Sequence, residues 1–465
     1  MSVAESHRPD AALRRLPPRD GDRPRLAIVA NAPSPYRLSQ HRRIARELPE
    51  VELFSVFKHE KNNSAWKNPL PDEINPVVFG PGEVATDKNK GVAAKLKQWV
   101  RGGEITRWLH DAGIDAVVIT GYNDLGLMRI IRWCARRGIP CFMFNDSNAR
   151  GDNAAGAALA LKKIYVPWIL RSLTGLMPCG TRGVEYYKPY GGETKPAFYM
   201  PHEPDYQLIM TMPSVEIDNA RDRWGLRHDR RRINYCARMT GVKRPDLLVN
   251  AFALIADERP EWDVVFVGGG ELLETVRGMV PERLRERVVF TGFVDGPDQI
   301  AALYRVCDLH VLPSDYEPWA AVVPEACAAG LAVVASEVVG AAAELVRPGV
   351  NGGLFKKGDE GDLARVLLDA TDENTIDTYR RGSAGVLRKW RRRGDPVDGV
   401  RRALEYAGVL EPRSGVRPTG DPEVDWKTDV DAGVHALATT SWDRPDAPDA
   451  AGGSSRPVGQ DERER

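Results

Sequence analysis

Two cations and two carboxylates in this chain have types and spacings that suit a phosphorylated ligand. Arg238 and Lys243 follow one short apolar run, and Glu317 and Glu325, eight positions apart, follow another. An arginine offers a planar fork of donors and a lysine offers a mobile point charge, a combination that suits a diphosphate. A carboxylate can accept two hydrogen bonds from a sugar diol. A cation pair and an acid pair beside the same sheet edge therefore indicate a phosphorylated sugar as the ligand.

The elements that must position these residues form two series of short apolar runs separated by helical stretches, a pattern typical of parallel sheets with crossover helices. The predicted strands of the two halves are 26–30, 51–57, 116–120, 141–145 and 197–200, then 233–237, 263–268, 288–291, 309–313 and 331–335. The predicted helices are 36–48, 124–136, 245–256, 297–306, 324–329 and 360–369. Each half is long enough for a doubly wound, Rossmann-like α/β domain, whose ligands bind beyond the carboxyl ends of the strands.

Length and composition bound the class of protein. The 465 residues are enough for two or three domains, and 42% of them are hydrophobic, which excludes wholesale disorder. The 65 basic residues balance the 65 acidic ones, so no global charge favours nucleic acid as a partner. The six cysteines stand singly, as expected of reduced thiols in a cytosol, and we predict neither a disulfide nor a structural zinc.

Four regions are predicted from changes in composition. Residues 1–24 form a basic, proline-rich arm that we expect to be disordered, and 25–200 form the amino-terminal domain. Prolines at 201 and 204 mark the join to the carboxy-terminal domain, 201–410. Residues 411–465 are acidic and contain scattered Pro, Gly and Ser, a composition that predicts a disordered tail. The most apolar region, 154–177, is interrupted by charges and a proline, so no membrane span is expected.

The second half resembles the retaining glycosyltransferases of family 4. The resemblance covers about residues 233–369 and rests on the order and spacing of its motifs rather than on any one of them. These are the Arg-x4-Lys pair, Gly268-Gly-Gly270, Gly292-Phe-Val294, Leu312-Pro-Ser314, the E-x7-E pair, Glu325-Ala-Cys-Ala-Ala-Gly330 and Asn351-Gly352. In the first half, Asn31-Ala-Pro-Ser-Pro-Tyr-Arg37 is similar to a loop found in some bacterial members.

The resemblance implies a GT-B fold, in which two doubly wound α/β domains face each other across a cleft, and it implies a role for each matching residue. Arg238 and Lys243 would neutralise the diphosphate of a sugar-nucleotide donor, Glu325 would hold the ribose, and Glu317 would face the transferred sugar. The donor would also contact a set of loop residues, Gly292, Phe293, Val294, Pro318 and Trp319. On the acceptor side the candidates are Tyr36, Arg37 and Asp146.

The family implies transfer with retention, in which the departing phosphate deprotonates the acceptor hydroxyl and neither a metal nor a cofactor is needed. The expected partners are the donor and a glycan, lipid-linked or small-molecule acceptor. Two departures affect these expectations. First, where the common pattern is E-G-F-G, this chain has Glu317-Pro-Trp-Ala320, so a close approach that glycine would allow is not expected. Second, the histidine that many members carry after a first-domain strand is missing, because the predicted strand 141–145 is followed by Asp146-Ser-Asn148.

Other functions stay open on the sequence alone. A sugar-nucleotide epimerase on a similar fold would act without an acceptor. The altered loop Pro318-Trp-Ala320 favours a catalytically silent sugar-nucleotide-binding module. A glycosidase is less well supported, because its two carboxyl groups must flank one scissile bond. His202, beside Glu203, is assigned to the linker rather than to a metal site, and Asp146 suits a helix cap as well as an acceptor-side role.

One segment raises the question of membrane contact. Residues 88–101 have the spacing of a basic amphipathic helix, with cations around an apolar stripe of Val92, Leu96, Trp99 and Val100. We expect this stripe to be the buried side of a half-buried helix, and the alternative is contact with anionic lipid or a lipid-linked acceptor. The expected location is the cytoplasm, with peripheral contact at the inner membrane face as the alternative.

Overall fold

The computed structural model describes residues 21–61, 69–85, 91–151 and 156–413. Most of the predicted arm (1–24) and tail (411–465) therefore lies outside the described residues. Within the described part, the chain forms two parallel six-stranded sheets, each covered by helices on both faces. The α/β class and the two doubly wound domains predicted from the sequence are confirmed.

The first sheet has the strand order β3-β2-β1-β4-β5-β6. Its strands are β1 (Arg25–Ala30), β2 (Glu52–Phe57), β3 (Pro76–Val78), β4 (Ala116–Thr120), β5 (Cys141–Asn145) and β6 (Gly175–Pro178). The helices of this domain are α1 (Pro35–Glu47), α2 (Val92–Asp111), α3 (Leu125–Arg137), α4 (Gly156–Arg171) and α5 (Thr181–Tyr187). Every residue of β1 and β2 is buried, because helices cover both faces of the sheet.

The second sheet has the strand order β12-β11-β10-β7-β8-β9. After the linker helices α6 (Tyr206–Met210) and α7 (Ser214–Arg223), its strands are β7 (Arg231–Cys236), β8 (Trp262–Val267), β9 (Val288–Gly292), β10 (Leu309–Leu312), β11 (Ala332–Ser336) and β12 (Gly352–Phe355). The crossover helices are α8 (Pro245–Ile255), α9 (Leu273–Met279), α10 (Pro297–Arg305), α11 (Val322–Ala328), α12 (Ala342–Leu345) and α13 (Glu360–Ala370).

Local sequence signals begin and end these elements. Helix α3 begins after Asp124, whose carboxylate accepts hydrogen bonds from the backbone N–H groups of Gly126 and Leu127, and it ends at Gly138 in the left-handed conformation. Helix α8 begins with Pro245, the residue type that suits a first helical position. Several connections contain 3-10 helix: single turns at Asp72–Ile74, Ala149–Gly151, Lys188–Tyr190, Gly192–Thr194 and Gly241–Lys243, and a longer segment at Glu282–Arg287.

Three strands differ from the prediction. The sixth strand of the first sheet is Gly175–Pro178, not 197–200, which was wrong. In the 197–200 segment the backbone N–H groups of Phe198 and Met200 donate hydrogen bonds to the carbonyls of Leu176 and Pro178, so its apolar pattern reflects its position beside the sheet rather than a strand of its own. Strands β3 and β12 were not predicted, because runs of three and four residues carry too little periodicity.

Two long helices complete the described chain and bring it back to the first domain. Helix α14 (Glu373–Gly394) leads into α15 (Pro396–Tyr406), and α15 packs against α1. At this junction Arg43 of α1 forms ion pairs with Glu203 of the linker and with Asp395 between α14 and α15. One hydrophobic core accordingly contains residues of both sheets and of the terminal helices.

The start of α2 corrects another expectation. The apolar stripe Val92, Leu96, Trp99 and Val100 is exposed, with Val92 at 85%, and does not form the buried side of a half-buried helix. The reason is that α2 packs on the sheet only through its second half, which buries Ile105 and Leu109. Among the described residues, no helix is long and apolar enough to cross a membrane.

Candidate active site

The loops at the carboxyl ends of β7 and β10 form one wall of the candidate site. The turn at Gly241–Lys243 follows β7, and its Val242 carbonyl accepts a hydrogen bond of 2.9 Å from the backbone N–H of Asp315, after β10. Because neighbouring parallel strands end at the same sheet edge, this contact holds the predicted cation loop and the predicted acid loop together.

Lys243 and Glu317, which the sequence assigns to one donor, form an ion pair between Nζ and Oε2. The Glu317 side chain is buried, and its backbone carbonyl accepts hydrogen bonds from the Gly340 N–H at 3.1 Å and from Asn148 Nδ2 at 3.1 Å. Asn148 belongs to the first domain, so Glu317 is positioned from both domains. The role of Asn148 was not predicted, because a side-chain amide that binds distant carbonyls leaves no pattern in the sequence.

Arg238 lies on the same loop with a different environment. Its side chain is exposed, and within the described residues it makes no hydrogen bond or ion pair through its guanidinium. The backbone around it is fixed by the loop after β8: a side chain on Gly268 would place Cβ 2.2 Å from the Ala237 carbonyl oxygen, and on Gly270 2.5 Å from that of Met239. The glycines therefore allow two strand-end loops to touch, and Arg238 extends beyond them.

Glu325 is buried near the start of α11, where its carboxylate accepts a hydrogen bond of 2.9 Å from the Tyr304 hydroxyl. Tyr36, at the start of α1 in the first domain, also stabilises this carboxylate. Burial raises the pKa of Glu325 to about 7, although both tyrosines oppose this rise. Tyr304 was not predicted, because the helical pattern of α10 does not show where a buried hydroxyl finds its partner.

The loop that departs from the family pattern keeps a glycine-like backbone. Ala320 has a φ of +79°, in the left-handed region that glycine adopts without strain. The Trp319 indole is buried between the domains, where Nε1 donates a hydrogen bond of 3.1 Å to the His202 carbonyl and the ring packs on Trp390. Pro318 lies beside Gly340, on which a Cβ would come within 1.9 Å of the Pro318 carbonyl oxygen.

The predicted base-binding turn lies on the other side of the β8 loop. Gly292 ends β9 with a φ of +70° and pairs with Gly268, which places the turn against the 268–270 loop. Within the turn, Phe293 is exposed and Val294 is buried. The structure therefore brings the turn to the same sheet edge as Arg238, with an aromatic side chain on its surface.

The acceptor-side candidates form a second polar group, at the strand ends of the first domain. Arg37 donates a hydrogen bond of 2.7 Å to the Ala32 carbonyl, and burial lowers its pKa, an effect that Asp146 opposes. Asp146 Oδ2 also lies 3.9 Å from His202 Nε2. Burial lowers the pKa of His202 well below its ordinary value, again against Asp146, so its imidazole is neutral at pH 7.

The sequence assigns His202 to the linker, and the structure shows in addition what surrounds its imidazole ring. Its ring packs edge-on against Phe144 at 4.9 Å between centroids, and its Nδ1 is buried with no partner among the described residues. A histidine thus stands beside the end of β5, although it comes from a different segment than the missing family histidine. Within the described residues, no group of three or more His, Cys, Asp or Glu side chains could hold a metal ion.

Comparisons with known proteins agree with this architecture. The profile of the family described as Glycosyl transferases group 1 matches residues 216–383. The D-inositol 3-phosphate glycosyltransferase of Thermomonospora curvata is 32% identical over 401 residues, which cover 81% of this chain and 90% of that protein. Five other curated relatives match this chain over only 34% to 54% of their own length. One of them is an uncharacterized glycosyltransferase of Methanocaldococcus jannaschii, which is 36% identical over 29% of this chain and 34% of its own length.

Solved structures show the same fold at low sequence identity. The Anabaena protein HepE, solved in complex with UDP and glucose, superimposes with a TM-score of 0.63 at 20% identity and covers 83% of this chain and all of its own. Sucrose-phosphate synthase from Thermosynechococcus elongatus gives a TM-score of 0.64 at 16% identity and covers 83% and 99%. With its two facing Rossmann-like domains and a near full-length relative, the chain belongs to the group 1 family of glycosyltransferases and has the GT-B fold.

Proposed function

We propose that the protein transfers a sugar from a nucleoside-diphosphate sugar to an acceptor hydroxyl with retention of configuration. The observation that carries this proposal is the meeting of Lys243, Glu317 and Glu325 with the exposed Arg238 at one sheet edge, opposite a polar group on the first domain. Cations and hydrogen-bond acceptors in this order match a diphosphate joined to a sugar and a ribose.

Each residue then has a defined task. Arg238 and Lys243 bind the diphosphate oxygens, and Glu325 accepts hydrogen bonds from the ribose hydroxyls. Glu317, oriented by its ion pair with Lys243, faces the transferred sugar. The Gly292-Phe293-Val294 turn borders the base, and the backbone of Pro318, Trp319 and Ala320 lines the donor while the Trp319 indole holds the two domains together.

The reaction breaks the bond between the anomeric carbon and the phosphate oxygen and forms one between that carbon and the acceptor oxygen. In the proposed same-face route, the acceptor proton moves to an oxygen of the departing diphosphate. The main task of the enzyme is to stabilise the negative charge that grows on the diphosphate, and two positioned cations supply this stabilisation without a metal or cofactor. Arg37, Asp146, His202 and Tyr36 bind and orient the acceptor from the first domain.

The names of similar proteins guide the choice of substrates. HepE was solved with UDP and glucose, and the relative from Thermomonospora curvata is named D-inositol 3-phosphate glycosyltransferase. We therefore propose a UDP-sugar as the first donor and a polyol phosphate, a glycan or a lipid-linked sugar as the acceptor. GDP- and ADP-sugars complete the donor panel.

Two measurements test the proposal. Thermal unfolding with each donor should identify the bound one, because a ligand at 100 times its dissociation constant adds about 2.7 kcal/mol of stability. Proton NMR of the first-formed product, with and without EDTA, should then show an α-linked product from an α-linked donor in both samples. An inverted anomer excludes the retaining route, and loss of activity with EDTA excludes the metal-independent one.

A silent binding module is the alternative that this structure addresses most directly. The altered loop motivates it, but Ala320 keeps the left-handed backbone conformation that suits a glycine, so the loop shape does not require the module to be inactive. Donor binding without turnover across the acceptor panel supports the silent module. Conversion of the donor sugar when no acceptor is present supports an epimerase instead.

A further inference from the structure

Three helices cover one face of the first sheet and leave an outer surface that the proposed transfer reaction does not use. Helices α2, α3 and α4 share one hydrophobic core with the strands, to which they contribute Ile105, Ile130 and Ile169 among others. Their opposite sides face away from the sheet. We call the outward residues of these three helices the α2–α4 face.

The α2–α4 face carries large apolar side chains in helical stripes. On α2 they recur at positions i, i+4, i+7 and i+8, and on α4 at i, i+3 and i+7, spacings that normally mark a buried side. Here they are exposed, with Val92 at 85% and Ile164 at 72%: Val92, Leu96, Trp99, Val100, Leu161, Ile164 and Trp168. Apolar stripes of this length on an exposed surface mark a site of interaction.

Arginines of α3 join the two stripes. The Arg129 guanidinium lies 4.8 Å from the centroid of the Trp99 ring on α2, and Arg132 lies 5.4 Å from that of Trp168 on α4. The two arginines are three positions apart, so they project from the same side of α3. The stripes of α2 and α4 are therefore parts of one surface, on which tryptophan rings and guanidinium groups alternate.

The three helices are predominantly basic, although the whole chain is balanced: α2 carries four cations, Lys95, Lys97, Arg101 and Arg107, against two acids, Glu104 and Asp111. Helices α3 and α4 together carry seven cations and no Asp or Glu: Arg129, Arg132, Arg136, Arg137, Lys162, Lys163 and Arg171. Beside the apolar stripe of α2, Lys95 is exposed as well. Tryptophan and long cationic side chains are the residues that occupy the headgroup region of a bilayer.

From these observations we propose that the α2–α4 face binds the surface of an anionic lipid bilayer. The apolar side chains would enter the boundary between headgroups and acyl chains, and the cations would contact lipid phosphates. Charge complementarity favours this occupant over a second copy of the chain, because a symmetric contact would place like cationic surfaces opposite each other. The inference does not depend on the proposed transfer reaction.

The test is flotation of the full chain with vesicles of phosphatidylcholine alone and with vesicles that contain about one third phosphatidylglycerol. We expect flotation with the second kind only, and its loss at high salt. Leu161→Ser and Lys163→Glu should each reduce the bound fraction, and together they should weaken partitioning by about tenfold or more. The matched control is Leu254→Ser, because Leu254 on α8 has the same 59% exposure as Leu161.

The outcomes separate the possible occupants. Flotation with anionic vesicles that Leu161→Ser and Lys163→Glu weaken and Leu254→Ser leaves unchanged supports the proposal. Equal binding to both kinds of vesicle, or no binding to either, overturns it. A concentration-dependent dimer in sedimentation velocity that Leu161→Ser abolishes also overturns it, since the face would then hold a second copy. Unchanged thermal unfolding of each variant shows that a lost interaction is not a lost fold.

Discussion

Tyr36 of the first domain lies close enough to Glu325 of the second for each to shift the pKa of the other across the cleft. The carboxylate accepts a hydrogen bond from the hydroxyl of Tyr304, so the side chains that stabilise it in the described residues are tyrosines. A ribose bound here would offer its hydroxyl groups to the Glu325 carboxylate, either in place of the tyrosine hydroxyls or in addition to them. Binding of the sugar nucleotide is therefore linked to the position of the first domain, which carries Tyr36. The protonation of Glu325 should be visible as a pH dependence of that binding.

The affinity for the donor should rise with pH between about 6 and 8. Burial raises the pKa of Glu325 to about 7, so the carboxylate that accepts ribose hydrogen bonds is formed only as the pH rises through this value. Tyr36→Phe removes a hydroxyl that lowers the pKa of Glu325, and it should move the midpoint to higher pH. Titration calorimetry of the nucleoside diphosphate across this range measures both effects.

Glu325→Gln should remove this pH dependence and weaken donor binding by about 1.5 to 3 kcal/mol at pH 8, the contribution of a hydrogen bond to a charged group. Glu282→Gln, an exposed acid on the same domain, is the control and should leave the affinity unchanged. An affinity that Glu325→Gln does not alter removes Glu325 from the donor site.

Lys243→Ala should reduce the rate of transfer by about 100-fold and weaken binding of the free nucleoside diphosphate far less, because its charge matters most as the leaving group becomes negative. Lys357→Ala, which changes an exposed lysine of the same domain, should have no effect on either quantity. Steady-state kinetics and calorimetry give the two numbers. Equal, small losses in both would make Lys243 a partner of Glu317 with no part in the reaction.

Arg238→Lys should restore little of the activity that Arg238→Ala loses, since a point charge does not replace a two-pronged contact with a diphosphate. The exposed guanidinium has no partner to lose within the described residues, so neither variant should change the stability of the protein. Full activity in Arg238→Lys, measured under the same conditions, contradicts the bidentate assignment.

Ala320→Gly should stabilise the protein by about 1 kcal/mol, because an alanine at a φ of +79° carries a steric cost that glycine avoids. Ala321→Gly is the control: the next residue has a right-handed φ of −60°, so glycine there relieves no steric cost of a left-handed backbone. Urea unfolding of the three proteins decides the matter. A loss of stability in Ala320→Gly would mean that the loop is not held in this conformation.

Asp146→Asn and His202→Asn should raise KM for the acceptor by about tenfold and leave donor binding within twofold, because both side chains belong to the polar group proposed to bind the acceptor. His228→Asn, an exposed histidine, is the control. Kinetics with the acceptor varied at saturating donor separate the two constants. A matched fall in donor affinity would place the pair on the donor side of the cleft.

The second domain could be predicted from the sequence more completely than the first. Its strands follow apolar runs of four to six residues, and the Arg238, Lys243 and Glu317 motifs lie directly after them, so strand order alone brings them to one edge. The exact pairing of Lys243 with Glu317 was not predictable, because it depends on the backbone contact between Val242 and Asp315.

The contacts between the domains were beyond the sequence. Asn148, Tyr36 and His202 lie far from their partners along the chain, and each acts through a single polar atom. The apolar stripe of α2 was misassigned for a related reason: periodicity identifies one side of a helix but not what lies against it. Only the packing of its second half on the sheet shows that the apolar stripe of its first half is left exposed.

The return of the terminal helices to the first domain has a mechanical consequence. The chain passes between the domains twice, once after Pro201 and again at Asp395, and Arg43 holds Glu203 and Asp395 at the same place. Because one arginine ties both crossings together, any displacement of one domain relative to the other has to move the two connections as a unit, or break the Arg43 ion pairs.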